Sequence, residues 1–203
     1  MRTTQVRKGM GNISTHLNVL GKGAKAATAY WGDALIEIGS GFRAFLLTAG
    51  KYFEHCTGVE PSNTYKNEVF KQGGNIQVVH GYFDKNIRLE RDYDAFASFQ
   101  VFEHLGDPLS ALQLLYNVCR ENAYGIINVP NGAGFFAQAL YQQLILQHIN
   151  YYTPMSLYTL AQRAGFIVEE LKSDDAEIEM NLYCRKPGVS VSMNERRAQE
   201  RSV

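Results

Sequence analysis

The chain has 203 residues, enough for one α/β domain with a sizeable core and too few for two. Its 20 Lys+Arg balance 20 Asp+Glu, so the basic excess with which a duplex-binding protein neutralises phosphates is missing and no nucleic-acid partner is expected. Three widely spaced cysteines, Cys56, Cys119 and Cys184, form no CxxC pair and indicate neither a disulfide framework nor a structural zinc site; a reducing cytoplasm fits them, and no apolar run has the length of a signal-peptide core or a membrane span.

Residues 1–30 are polar and glycine-containing, with an apolar patch only around Leu17 to Leu20, and read as a loosely ordered arm or a short covering helix. Ala34 to Ile38 reads as a buried strand that feeds a helix over Phe42 to Ala49, and Cys56 to Val59 as the second strand. A helical stretch over Asn63 to Gln72 stops at Gly73-Gly74. Ile76 to Val79 and Tyr93 to Phe99 are the third and fourth strands, after which Asp107 caps and Pro108 opens a helix through about Arg120. Gly125 to Val129 is a fifth strand, stopped by Pro130-Asn131-Gly132, and Phe135 to Gln147 is apolar enough for a helix that could act as a lid. Thr153-Pro154 starts a helix over Met155 to Ala164, ended by Gly165, and Phe166 to Leu171 and Asn181 to Arg185 are the last strands.

Strands alternating with helices in this way imply a mainly parallel sheet covered on both faces. The organisation expected is an arm over 1–30, one domain over 31–186, and a polar tail over 187–203 that reads as disordered or as the start of a linker. There are no internal repeats.

The chemistry is concentrated where the first two strands end. An apolar run closes on Glu37 and two near glycines, Gly39 and Gly41; a helix length later a second run closes on Glu60. A strand–turn–helix–strand unit that holds an adenosine-containing cofactor needs this: glycines let the backbone approach the ligand, and the second acid faces the ribose diol, accepting two hydroxyl protons. The third glycine of a dinucleotide fingerprint is replaced by the bulky Phe42-Arg43, and an acid beside the turn repels a diphosphate. The same acid suits a cationic amino group, so S-adenosylmethionine (SAM) is preferred over NAD.

These residues resemble a known family. Glu37-Ile-Gly-Ser-Gly41 is similar to motif I of class I SAM-dependent methyltransferases, and Gly58-Val-Glu-Pro-Ser62 to their acidic loop after the second strand. The stretch from Asp92 through Glu103-His-Leu-Gly-Asp-Pro108 resembles the fourth strand and following segment of a branch that methylates small molecules and sugars, including deoxysugar C-methyltransferases. Val129-Pro-Asn131, His148-Ile-Asn-Tyr-Tyr-Thr153 and Ala164-Gly-Phe166 continue the likeness, which covers roughly 30–172.

The resemblance implies a Rossmann-like class I methyltransferase fold with seven strands, the last antiparallel, and SAM-dependent methyl transfer to a small molecule, possibly a sugar or hydroxylated metabolite. It places the adenine near Tyr82 and Phe83 and makes Gln100, at the end of the fourth strand, a cofactor or substrate contact. His148 either takes a proton from the acceptor or ties down its loop through backbone bonds, with Tyr151 and Tyr141 as further polar groups. Glu103 and His104 are adjacent and, on a helix, would not share a face; a structural role is favoured for His104. Asn131 either contacts substrate or closes a turn. Phe135, Phe136, Tyr141, Tyr151 and Tyr152 would give the mouth an apolar rim.

Two departures stand out: Arg43 in place of the third motif I glycine, and no cysteine-rich zinc module ahead of the domain. They keep open a methyltransferase-like module that binds SAM inside a larger protein or complex without catalysis, while an NAD(P)-dependent enzyme is a more distant alternative. Neither the Asn/Asp-Pro-Pro-Tyr/Phe grip of adenine and glutamine amino-methyltransferases nor a Pro-Cys nucleophile for cytosine C5 follows the fourth strand. The acceptor atom and the oligomeric state are not written in the sequence.

Overall fold

A computed structural model describes residues 32–63, 74–90, 92–140, 145–174 and 176–188. In chain order the elements are β1 (Gly32–Ile38), α1 (Ala44–Ala49), β2 (Phe53–Glu60), β3 (Ile76–His80), β4 (Tyr93–Phe99), a 3-10 turn (Phe102–His104), α2 (Pro108–Val118), β5 (Cys119–Pro130), α3 (Gly132–Ala137), α4 (Pro154–Ala164), β6 (Ile167–Ser173) and β7 (Glu179–Arg185).

The seven strands form one sheet in the order β3-β2-β1-β4-β5-β7-β6. Every neighbouring pair from β3 to β5 is parallel, whereas β7 runs antiparallel to both β5 and β6. The sheet is therefore mixed, with β7 the single reversed strand. Register brings Ile38, Val59, Ser98 and Ile127 into one row across β1, β2, β4 and β5. The strand ends thus open at one level, the edge at which open α/β sheets bind ligands.

Burial on both faces explains the unbroken apolar runs. Leu35 points to a layer with Phe45, Leu46, Phe53 and Phe99 beneath α1, and Ile36 to the opposite layer with Phe96, Leu112, Leu115, Leu157 and Phe166 beneath α2 and α4. Helix ends follow their capping residues. Asp107 Oδ1 accepts from Ser110 N at 3.0 Å, Thr153 and Ser156 cap each other reciprocally, and Gly165 ends α4 in the left-handed region at φ 103°. At the other edge of the sheet Asp94 accepts the amides of Asp33 and Ala34 and the Arg120 guanidinium, tying β1 to β4.

Several boundaries differ from the sequence reading. β5 begins at Cys119 rather than Gly125, because α2 ends at Val118 and the chain turns directly into the sheet beside Tyr93. Of the helix expected over Phe135 to Gln147, residues 141–144 lie outside the described residues, and the described part holds α3 over Gly132–Ala137; Asn131 Oδ1 caps it by accepting from Gly134 N at 3.2 Å, and Ala139 follows it at φ 54°. Residues 145–150 hold a turn and no regular element. β7 starts two residues before its expected first residue, Asn181, at Glu179. The arm over 1–30, nearly all of the helix expected over Asn63 to Gln72, Tyr141, and the tail beyond 188 lie outside the described residues. Among the described residues no helix is long and apolar enough to cross a membrane.

β5 crosses the Phe96 ring at Gly125, where an added Cβ would lie 2.2 Å from a ring carbon of a fully buried side chain. Gly125→Ala should overpack this contact and lower unfolding stability by roughly 1–3 kcal/mol; equilibrium denaturation with urea measures the change.

Candidate functional site

The turn after β1 is shaped by β2. Gly39 N and Ser40 N both donate to the Val59 carbonyl, at 2.8 and 3.2 Å, and Gly41 N donates to Glu60 Oε2 at 2.8 Å. Three successive amides are thus directed at the last two residues of one strand. The turn requires φ of 76° at Gly39 and 46° at Gly41, and a Cβ on Gly39 would sit 2.3 Å from Val101 Cγ2. Glycine is required there for both reasons. These amides are already satisfied, so they are not a cradle for a diphosphate, in agreement with the preference against NAD.

Glu60 is 7% exposed and its other oxygen accepts from Ser62 N at 2.8 Å. The carboxylate predicted to face a ribose is held in place by one backbone amide on each oxygen, with lone pairs left for further donors. Arg43, which stands where a third glycine was expected, adopts φ 62° and precedes α1 without a side-chain cap.

Glu37 lies under this turn on the α1 side of the sheet. It is 1% exposed, and neither carboxylate oxygen has a hydrogen-bond partner among the described residues. Burial first, and the nearby Glu60 carboxylate second, push its pKa well above the usual 4.5.

The two aromatics after β3 separate. Phe83 is a core residue at 7% exposure, whereas Tyr82 is 74% exposed. Both line a cleft of about 730 Å³ between the β3–β4 connection and the start of α2, with Leu105, Asp107 and Ala111 opposite. Gln100 leaves β4 at φ 55°, a costly conformation for a side chain with a Cβ. Its Nε2 donates to Asn128 Oδ1 at 2.7 Å, and Asn128 Nδ2 donates onward to Asn181 Oδ1 at 3.0 Å. Gln100 therefore locks the ends of β4, β5 and β7 together.

Beyond β4 the structure corrects one inference. Glu103 and His104 do meet: His104 Nε2 is 3.7 Å from Glu103 Oε1. Helical periodicity does not apply to a 3-10 turn of three residues, which lets the imidazole fold back over its neighbour. His104 Nδ1 lies 2.7 Å from the Gln147 carbonyl, and since a carbonyl only accepts, Nδ1 carries a proton.

His148 packs edge-on to the His104 ring at 4.9 Å, and its Nδ1 is buried with no partner among the described residues. Burial, then the neighbouring His104 ring, lower its pKa below the usual histidine value. The Tyr151 hydroxyl donates to the Ile145 carbonyl at 3.1 Å and serves the loop; the Tyr152 hydroxyl donates to Phe102 O. Of the expected apolar rim, Phe135 and Tyr152 are buried, while Phe136 is exposed together with Leu146, Ile149 and Met155.

Sequence reasoning named Glu103 but not its burial, and missed two further polar residues here, Glu179 and Asn128. Glu103 is fully buried with both oxygens unpartnered among the described residues; burial, then the Glu179 carboxylate, push it up to about 7. Glu179, at the start of β7, is also raised to about 7, chiefly by burial. Asn128 links Glu179 to Gln100. The available signal was an asparagine in the otherwise apolar strand Gly125 to Val129 and an acid beside the last strand. Asn131 serves as the N-cap of α3. The cysteines are all buried, with Cys56 and Cys119 pushed up to about 12 by burial, so none is a nucleophile.

A sheet in this order with one reversed strand, a glycine turn locked to the next strand and two acids beneath it, defines a Rossmann-like class I SAM-dependent methyltransferase. Residues 20–171 match the family model described as a methyltransferase domain, and the chain belongs to that family; its cofactor is SAM.

Among solved structures the chain is similar to the SAM-dependent methyltransferase from Mesorhizobium loti, with 12% identity over 87% of this chain and 99% of that one and a TM-score of 0.67. It is also similar to the N-methyltransferase NodS from Bradyrhizobium japonicum, with 10% identity over 88% and 99% of the two chains and a TM-score of 0.63. A chain of the complex between the Haloferax volcanii Trm112 methyltransferase activator and its partner shares 17% identity over 89% and 92%, with a TM-score of 0.64. At these identities the likeness concerns the fold. No curated protein matches the chain.

Because its folded pKa is raised, Glu37 contributes stability that is present below the usual carboxylate value near 4.5 and lost as pH rises towards the folded value. Glu37→Gln removes this loss. The ligand-free variant should therefore melt above the wild type at pH 7, with the gap closing as pH falls below 4.5; thermal unfolding followed across pH checks the sign.

Proposed function

We propose that the protein transfers the methyl group of SAM to a small-molecule acceptor, such as a sugar or a hydroxylated metabolite. The observation that carries this reading is the buried, unpartnered Glu37 carboxylate beneath the glycine turn. Burial disfavours the ionised form of this carboxyl, and a cationic ligand group arriving there would stabilise it and supply the missing partner.

SAM supplies an electrophilic methyl group on a sulfonium centre. Around it, Glu37 would offer its carboxylate to the cofactor's amino group, while Gly39 and Gly41 keep the turn free of side chains. Glu60 would accept from the ribose hydroxyls with the lone pairs that Gly41 N and Ser62 N leave open. Tyr82 and Phe83 would wall the adenine side through the cleft they share, and Gln100 would fix the floor between the ends of β4 and β5.

The acceptor would enter over 131–153, where Phe136, Leu146 and Ile149 present apolar surface. His148, with Nδ1 unpartnered among the described residues, holds a lone pair at this mouth that could take the acceptor's proton, while His104 and Tyr151 position the segment. The enzyme's main contribution would be to align acceptor and methyl group for in-line attack. Equal numbers of cationic and anionic side chains support an acceptor other than a polyanion.

Calorimetric titration with SAM, its demethylated product and NAD tests the cofactor half. The first two should bind and NAD should not, and Glu60→Ala should weaken SAM binding by about tenfold or more, the scale of a lost charge-assisted hydrogen bond. Unchanged SAM affinity in that variant would remove Glu60 from the site. Turnover against a panel of hydroxylated metabolites tests the acceptor half.

A further inference from the structure

The mouth holds more donors than a single proton transfer uses. Glu103, His104 and His148 each offer one ligating atom within 4.8 Å of the other two. Each of the three is oriented or left open in a way that a proton relay does not explain.

The Glu103 carboxylate is fully buried, and among the described residues no Lys or Arg pairs with it and no donor reaches either oxygen. Proton sharing with His104 at 3.7 Å is too long for a hydrogen bond. The Gln147 carbonyl takes the Nδ1 proton of His104, which leaves the neutral ring's lone pair on Nε2, the atom facing Glu103. A carbonyl that fixes the far nitrogen in this way is the usual outer partner of a metal-binding histidine. His148 brings a third open donor, its partnerless Nδ1.

The frame around them is stiff. Ile149 N and Asn150 N both donate to the Glu103 carbonyl, at 2.9 and 3.0 Å, and Asn150 Nδ2 donates to Leu105 O at 2.7 Å. The segment bearing His148 is thereby pinned to the turn bearing the other two.

We propose that Glu103, His104 and His148 bind a divalent first-row transition-metal cation at the acceptor mouth. Two imidazole nitrogens with one carboxylate select such an ion over magnesium or calcium, which take oxygen-rich shells. Ligand bonds near 2.1 Å in tetrahedral geometry bring donor atoms to about 3.4 Å from one another, so the present group closes on the ion by side-chain rotations on the order of 1 Å. Three protein ligands leave at least one position for water or an acceptor oxygen. With the ion bound, His148 spends its lone pair as a ligand rather than as a base. This inference goes beyond the methyl-transfer reading and does not depend on which acceptor is used.

Metal-stripped full chain titrated with Co²⁺ should show saturable binding of one equivalent, with d–d absorption bands typical of nitrogen and oxygen ligation. Glu103→Gln and His148→Gln should each weaken binding by about tenfold or more, with circular dichroism checking that both variants are folded. Binding that is absent, or that survives either substitution unchanged in a folded variant, would overturn the proposal. Wild-type protein decides the matter if a variant does not fold: Zn²⁺ should shift the ring resonances of two of the five histidines, and leaving all five unmoved overturns it too.

Discussion

Everything at the ligand edge depends on the attachment of the glycine turn to the end of β2. By sending the amides of Gly39, Ser40 and Gly41 to Val59 O and Glu60, the chain fixes where β1 ends, how α1 departs and how Glu60 is aimed. The turn reaches those acceptors only through the left-handed conformations at positions 39 and 41, and the close approach of Val101 leaves no space for a side chain at the first of them. The same bonds remove backbone donors that a phosphate ligand would need. The turn is therefore a floor whose backbone donors are already used and beside which the polar groups left open are carboxyls.

The fold tolerates three acids that an apolar core would exclude. Glu37, Glu103 and Glu179 all titrate high, and all lie near the open ends of the central strands. Elsewhere the charged groups are conventional: Asp94 meets Arg120 and two amides at the opposite edge, and Arg185 meets Glu169 on the surface. Destabilising charge is thus confined to one edge of one sheet, while the layers formed by Phe45 and Phe53 below and Phe96, Leu112 and Phe166 above supply the compensating burial.

The architecture was legible because its signals are local. Tyr93 to Phe99 matched its strand in full, Asp107, Thr153 and Gly165 capped the helices their residue types implied, and Glu37, Gly39, Gly41 and Glu60 fell at the ends of β1 and β2. What escaped was set by tertiary contact. Phe135 to Gln147 carries helical composition, but Asn131 caps the chain early and the Gln147 carbonyl is taken by His104. Tyr82 and Phe83 look alike in sequence, yet one joins the core and the other the solvent. Glu103 beside His104 was read with a helical rule in a segment too short to obey it. The meeting with His148 involves residues 44 positions apart, which no spacing rule could supply.

The reversed strand has a consequence for how the chain is assembled. β7, the last strand to leave the ribosome, occupies the slot between β5 and β6 and hydrogen-bonds to both along its length. Until Glu179–Arg185 emerges, the edge of β5 has no neighbour on that side and β6 has no strand to join, however completely the earlier half of the sheet has formed. A nascent chain therefore carries β5 as an open sheet edge until almost all of the described residues have been made, and the closing step docks β7, together with β6, onto that edge.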